Sequence, residues 1–259
     1  MALPNSFAEM HEYLETAYHR FAQRLFVNSD PIQIPHRFEN KADIEISALL
    51  ASTIAWGNRR SIISSMDKLL SCMGNCPHEF VVNYKPTDAK HLKGFVHRTF
   101  NADDAAGFIQ SLQHIYLNHN GLHGVFAEGY RQSGSIEGAL RHFRRTFCAD
   151  DFPQRSQKHV ANVDAGSAAK RLNMFLRWMV RPSTEGIDFG LWPNIPTSAL
   201  LMPLDVHSAR VGRALGLLQR RQNDLRAVHE LTHELSQFDA NDPVKYDFAL
   251  FGLGVYGEL

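Results

Sequence analysis

Three cysteines, Cys72, Cys76 and Cys148, are all the thiol in this 259-residue chain. They are too few for a disulfide framework or a four-thiolate cluster, and their scarcity suits a reducing cytosol. Net charge is missing as well, because 27 basic and 27 acidic side chains cancel to zero. That excludes a strongly basic nucleic-acid sponge and an acidic disordered tail. No apolar run approaches the roughly 18 residues of a membrane span. The opening Met1 to Met10 lacks a basic stretch followed by an apolar one, so no signal peptide is expected. Period-two alternation is confined to a trace at Leu200 to Met202, which argues against a β-rich core.

What the chain has in quantity is helical periodicity. Phe7, Met10, Leu14, Ala17, Phe21 and Leu25 recur at three- and four-residue steps through Phe7 to Phe26, a single apolar stripe. Ala42 to Trp56 is apolar on all sides, as at the centre of a bundle. Further helices are expected over Arg59 to Met73, Asp103 to Leu117, Ser135 to Phe147 and Ala168 to Val180. Others follow over Val206 to Leu218, Asp224 to Phe238 and Pro243 to Leu253. Ser135 has Gly138 where a capping box places an acid, so it caps one way only. Asp242-Pro243 sets a capping acid before a first-turn proline. With 44% hydrophobic and 21% charged side chains, the expectation is an all-α chain. It is read as one compact helical unit over 1–259, in two lobes with a cleft between them. Asp150 to Asp164 and Arg181 to Pro203 are the least helical stretches and read as structured loops beside a site.

Zero net charge hides an asymmetry. Arg131 to Arg221 holds 14 Lys and Arg against 7 Asp and Glu. Lys170, Arg171, Arg177 and Arg181 fall along one helix, and Arg210, Arg213, Arg220 and Arg221 on or just after the next. A localised basic face of this kind can bind phosphates; ordinary solvated helix faces are the plainer account.

His229-Glu230-Leu231-Thr232-His233 fits H-E-x-x-H, which places two imidazoles on one helix face with a glutamate as general base. A zincin needs a third ligand, and no histidine follows His233. Val228, Leu231 and Leu235 form the core stripe with the histidines at its flank, so surface imidazoles are the simpler account. A metal-dependent hydrolase built on His229 and His233 stays as an alternative.

Two segments carry more chemistry. Gly166-Ser167-Ala168-Ala169-Lys170-Arg171 is a glycine turn, small residues and a lysine opening an apolar helix. Met202-Pro203-Leu204-Asp205-Val206-His207 is an apolar lead-in to an aspartate at a helix start, with Arg210 one turn on. They make the chain resemble the helix-hairpin-helix DNA glycosylase superfamily, mainly over its second half. With Ile54-Ala55-Trp56-Gly57-Asn58-Arg59, His97-Arg98-Thr99-Phe100 and Asp242 to Leu250 as well, it looks most like a bacterial family of unknown function related to the archaeal 8-oxoguanine DNA glycosylases.

The resemblance implies a two-lobed helical fold and an enzyme, a DNA N-glycosylase with AP lyase activity that removes an oxidised purine. It makes Lys170 the nucleophile and Asp205 its partner. A neutral amine can attack the anomeric carbon of a flipped nucleotide and form a Schiff base. A carboxylate at a helix N-terminus can stabilise the positive charge developing on the sugar. Gly166, Ser167, Arg171, His207 and Arg210 are placed at the DNA, and Asn58 and Arg59 where relatives probe the lesion. Phe189, Trp192 and Trp56 can stack on an extruded base, though each also suits a core; Trp178, in register with Met174 and Phe175, reads as core. The turn keeps one hairpin glycine, with Asp164 beside it. No cofactor is expected, and no iron–sulfur cluster, since no cysteine follows Cys148. The expected partner is double-stranded DNA with a damaged base, in the cytoplasm and at the nucleoid. A noncatalytic nucleic-acid-binding protein on the same fold is the other alternative.

Overall fold

The computed structural model of the chain describes residues 4–149 and 152–257. In chain order its α-helices are α1 (Phe7–Phe21), α2 (Lys41–Thr53), α3 (Arg59–Cys72), α4 (Pro77–Asn83), α5 (Ala102–Asn118) and α6 (Gly121–Ser133). They continue as α7 (Ile136–Phe147), α8 (Lys170–Val180), α9 (Val206–Ala214), α10 (Leu225–Ser236) and α11 (Tyr246–Val255). Among the described residues the only strands are β1 (Val96–His97) and β2 (Phe100–Asn101), one short antiparallel pair. The protein is all-α, and Leu200 to Met202 forms no strand. No helix among the described residues is long and apolar enough to cross a membrane.

Contacts divide the chain into two compact units. Ser29–Asn162 is one; the other joins the chain up to Asn28 to the chain from Val163 onward. In the Ser29–Asn162 unit, Phe126 of α6 stacks on Phe143 of α7 at 4.6 Å, and Phe108 of α5 meets Phe147 edge-on at 4.9 Å. The glycines of α6 permit that packing. A Cβ on Gly129 would sit 2.7 Å from His142 Cβ. In the other unit α11 lies against α1 and α9, and Leu14 of α1, Phe175 and Trp178 of α8, and Tyr246 and Leu250 of α11 are fully buried.

Helix starts follow their caps. Ser6, Asn40, Asn58, Asn101, Asp205 and Asp224 each accept a first-turn backbone N–H, filling donors that a helix leaves unmatched. Ser135 caps one way as expected, its Oγ accepting from Gly138 N at 3.1 Å. Asp242 does not cap the turn at Pro243. Its carboxylate is taken by Arg181 Nε at 2.8 Å, and a charge-assisted bond outweighs a cap on a single turn. Helix ends also depart from the periodicity. α1 stops at Phe21 and α9 at Ala214, the latter because Gly216 turns left-handed (φ +74).

Candidate functional site

Lys170 is the first residue of α8, and Asp205 is the residue that caps α9. Asp205 Oδ1 accepts from the backbone N–H groups of His207 and Ser208 at 2.8 and 2.9 Å. The other oxygen, Oδ2, faces Lys170 Nζ at 4.0 Å. A lysine at a helix start meets the positive end of the dipole, and the Asp205 charge offsets that. Their side chains are 30% and 17% exposed, so a reactant can reach the pair while most bulk water is kept away. Nζ also lies 3.9 Å from Met174 Sδ, one turn along α8.

The turn that delivers Lys170 is tightly bent. Gly166 (φ +79) and Ala169 (φ +48) are both left-handed. For alanine that conformation costs of order 1–3 kcal/mol. It starts α8 at Lys170, two residues later than the periodicity suggests. Ala169 N–H donates to Ser167 Oγ at 3.2 Å and Asn173 Nδ2 to Ala168 O at 3.1 Å, which hold the bend. Gly166 is exposed at its apex, and its carbonyl accepts from Leu225 N at 3.0 Å. The chain before the turn is a short 3-10 helix, Gln154–His159, so the turn does not join two α-helices.

Farther along α8, Arg177 and Arg181 enter the interior. Arg177 Nη1 donates to Asp247 Oδ2 at 2.6 Å, and its Nε is 3.4 Å from Asp188 Oδ1. Its guanidinium lies over the Phe248 ring at 4.2 Å. Arg181 reaches Asp242 (2.8 Å), Glu185 (3.0 Å), Asp188 (3.2 Å) and the Tyr18 hydroxyl (2.7 Å). Two guanidiniums thus serve four carboxylates. Burial pushes Asp247 up to about 6 against the pull of Arg177, with the Asp205 charge adding to the rise. Asp188 and Asp242 are likewise raised by burial against the pull of their arginines. Of these acids the sequence marked only Asp242, and as a cap; the cluster itself went unread. The available signal was Asp247 itself, a lone charge in the apolar run of α11.

Other expected site residues share this unit. Arg171 is half-buried, and burial lowers its pKa. His207 packs edge-on against Phe251 at 6.1 Å. Arg210 is exposed, with Nη2 donating to Gly254 O at 2.6 Å. Phe189 is half-buried, and its N–H donates to Trp178 O at 2.8 Å. Trp192 corrects the expectation of a stacking surface. It is fully buried, edge-on to Phe175 at 5.4 Å. Its backbone N–H bonds Met179 O at 3.1 Å, which pins the loop onto the end of α8. Trp178 is core, as its register implies.

Trp56, Asn58 and Arg59 belong to the Ser29–Asn162 unit, where two distant segments meet. The Trp56 indole is half-buried, stacked on His159 at 5.8 Å and edge-on to His97 at 5.3 Å. Asn58 caps α3 by accepting from Arg60 N at 2.9 Å. Arg59 Nη2 stands 3.9 Å from Asp30 Oδ2. Arg98 lays its guanidinium on Gly57, where a Cβ would come within 2.5 Å of Nη2.

Much of the expected basic face is spent internally. Arg177 and Arg181 are buried in ion pairs. Arg213 donates to the carbonyls of Arg220 and Arg221 at 2.8 and 2.9 Å, and Arg220 pairs with Asp224 at 2.5 Å. Counting charge along the segment missed acids beyond its end. In α10, His229 and His233 are exposed. Glu230 Oε1 accepts the backbone N–H groups of Gln219 and Arg220 at 2.5 and 3.3 Å, so that carboxylate caps a turn. Among the described residues no three His, Cys, Asp or Glu side chains are grouped to hold a metal ion.

A family model described as a protein of unknown function, DUF2400, matches residues 30–256. No curated protein and no solved structure matches the chain.

Proposed function

The chain belongs to the DUF2400 family of proteins of unknown function, and from that premise we propose that it is a DNA glycosylase of the helix-hairpin-helix type. Lys170 is its nucleophile and Asp205 the carboxylate partner. The observation that carries this reading is the 4.0 Å approach of Lys170 Nζ to Asp205 Oδ2. It brings an amine and a fixed anion together at two helix starts, partly open to solvent.

The neutral amine attacks C1′ of a nucleotide turned out of the duplex. The C1′–N bond breaks, and its electron pair leaves with the base, which takes up a proton. Opening of the sugar ring gives a protonated Schiff base, and loss of a C2′ proton then expels the 3′ phosphate. Asp205, held by two backbone N–H groups, stabilises the positive charge that grows on the sugar. Damaged double-stranded DNA is the substrate, with an oxidised purine as the lesion class that the family resemblance suggests. The lysine route as written calls for no metal or iron–sulfur cluster.

The test is borohydride trapping on 8-oxoguanine and abasic duplexes. A covalent adduct is expected with the natural chain and none with Lys170→Ala. Duplex binding without an adduct on any lesion would put a noncatalytic nucleic-acid-binding protein in place of the enzyme.

A further inference from the structure

In the Ser29–Asn162 unit the corner between α5 and α6 brings two imidazole nitrogens together. His114 lies one turn before the end of α5, and His119 caps that helix. Residues five apart on a continuous helix point about 140° away from each other. Here His119 has left the helical conformation (φ −130), and Asn120 (φ +59) and Gly121 (φ +75) turn left-handed into α6. The break brings His119 Nε2 to 3.1 Å from His114 Nε2, with the ring centroids 5.0 Å apart and the planes tilted by 55°. α6 closes on this corner because Gly124 has no side chain; a Cβ there would strike the His119 carbonyl.

That spacing fits a shared ion. Two nitrogens each about 2.0–2.1 Å from one zinc stand roughly 3–3.4 Å apart. Both histidines are half-buried, so a small ion can reach them. The far nitrogen of His114, Nδ1, has the Asn118 amide at 3.3 Å. A metal-bound imidazole donates from its far nitrogen to an acceptor that fixes its tautomer. Asn118 supplies that acceptor when its amide is turned end for end, giving up the bond from Nδ2 to His114 O (3.0 Å). His114 also lines a cavity of about 220 Å³ together with Gln110, Ser111 and Thr146. Ser111 is only 9% exposed. Whereas the hydroxyls of Ser47 and Ser52 bond back to their own helix, that of Ser111 has no such bond among the described residues, and a buried hydroxyl on a cavity wall is suited to a polar ligand.

We propose that His114 and His119 bind a divalent transition-metal ion of the zinc class through their Nε2 atoms, with water or a small oxyanion from the adjoining cavity completing the coordination. Neutral imidazoles suit such ions better than calcium or magnesium, which prefer oxygen. On binding, the hydrogen bond between the rings is given up, each Nε2 turns its lone pair to the metal, and any proton on it moves to Nδ1 or to water. Two protein ligands leave positions open, so the ion is exchangeable and free to take an oxygen ligand. Asn118 is the positioning residue. The site belongs to the unit without Lys170 and does not depend on the glycosylase reading.

The probe is Zn²⁺, added to the full chain after treatment with a chelator. His229→Gln and His233→Gln are included throughout, so that the exposed pair on α10 does not compete. Equilibrium dialysis counts the bound metal, and long-range ¹H–¹⁵N NMR follows the histidine ring nitrogens. One zinc per chain is expected, with the Nε2 signals of His114 and His119 moving together. His114→Gln and His119→Gln should each abolish that stoichiometric binding. Asn118→Ala should weaken it about 10-fold, and Asn118→Asp should restore it. A chain that retains no zinc overturns the inference, as does zinc that leaves both Nε2 signals in place. These two results need no change at either histidine, so they stand even where a variant fails to fold. Zinc bound equally well by the His114→Gln/His119→Gln double variant overturns it too, the ion then being adventitious.

Discussion

Each unit buries acids, and the two treat them differently. In Ser29–Asn162, Asp104 is fully buried and fully served. Its Oδ1 accepts from Ser156 Oγ at 2.6 Å, and its Oδ2 from Asn101 N at 2.9 Å with Arg155 at 3.3 Å. Glu45, also buried, accepts the Tyr116 hydroxyl at 2.8 Å. In the unit that holds Lys170, four acids crowd two arginines, and buried oxygens of Asp188 and Asp242 accept no hydrogen bond. A satisfied buried acid specifies packing. A surplus of raised acids is more than packing needs, and perturbed groups of this kind cluster at functional sites.

Breaking the contrast should begin with Arg181→Leu. It leaves Asp188, Asp242 and Glu185 without their shared guanidinium and should cost about 3–5 kcal/mol. Urea unfolding followed through Trp178 and Trp192, both in that unit, would measure it. In the other unit, Asp104→Ala strands the Ser156 hydroxyl and the Asn101 N–H, and should cost about 2–3 kcal/mol. The same urea experiment, read through Trp56, gives the value.

Asp247→Asn should behave differently from Asp104→Ala, because it removes a surplus charge. The folded chain keeps the Asp247 proton up to about 6, whereas the unfolded chain loses it near the ordinary 3.8. Ionisation is therefore opposed only in the folded state. As pH rises through that window the natural chain should lose roughly 2–3 kcal/mol relative to Asp247→Asn. Paired melts at the two ends of the window, with no convergence or crossing in that direction, would contradict this.

Asp205→Ala should cost about 1 kcal/mol through the lost cap, and Asp205→Asn much less. Both should slow trapping, since both remove the charge beside Lys170. Equal trapping by Asp205→Asn and the natural chain would reduce Asp205 to a cap. The smallest effect belongs to Arg155→Leu. Its side chain is 46% exposed, and buried Asp104 keeps its bonds from Ser156 and Asn101, so the loss should be about 1 kcal/mol in the same melts.

The helices with one apolar stripe were legible from periodicity, among them α1, α3, α5 and α8. α6 was not, because Gly121, Gly124 and Gly129 lower its helix propensity, and the reason for at least Gly129 is a neighbour, α7, that no local pattern reveals. Lys170 and Asp205 stood out as residues, one opening a helix and one capping another. Their 4.0 Å approach is tertiary. Arg177 could be placed on the Lys170 face of α8 by spacing, but not inside the protein, since its partners Asp188 and Asp247 lie in other elements. Trp192 shows the same limit. An aromatic in a proline-rich loop looks available until the loop's backbone bonds to α8 turn it inward.

The division of the chain also sets an order of assembly. Ser29–Asn162 is continuous and can close as soon as it has been synthesised, since domains fold as units during synthesis. The other unit begins with α1 yet is completed by α11. Until Asp242 and Asp247 emerge, Arg177 and Arg181 have lost two of their four carboxylate partners. α1 must therefore wait for α11, and the acids that crowd Arg177 and Arg181 are complete only once α11 has been made.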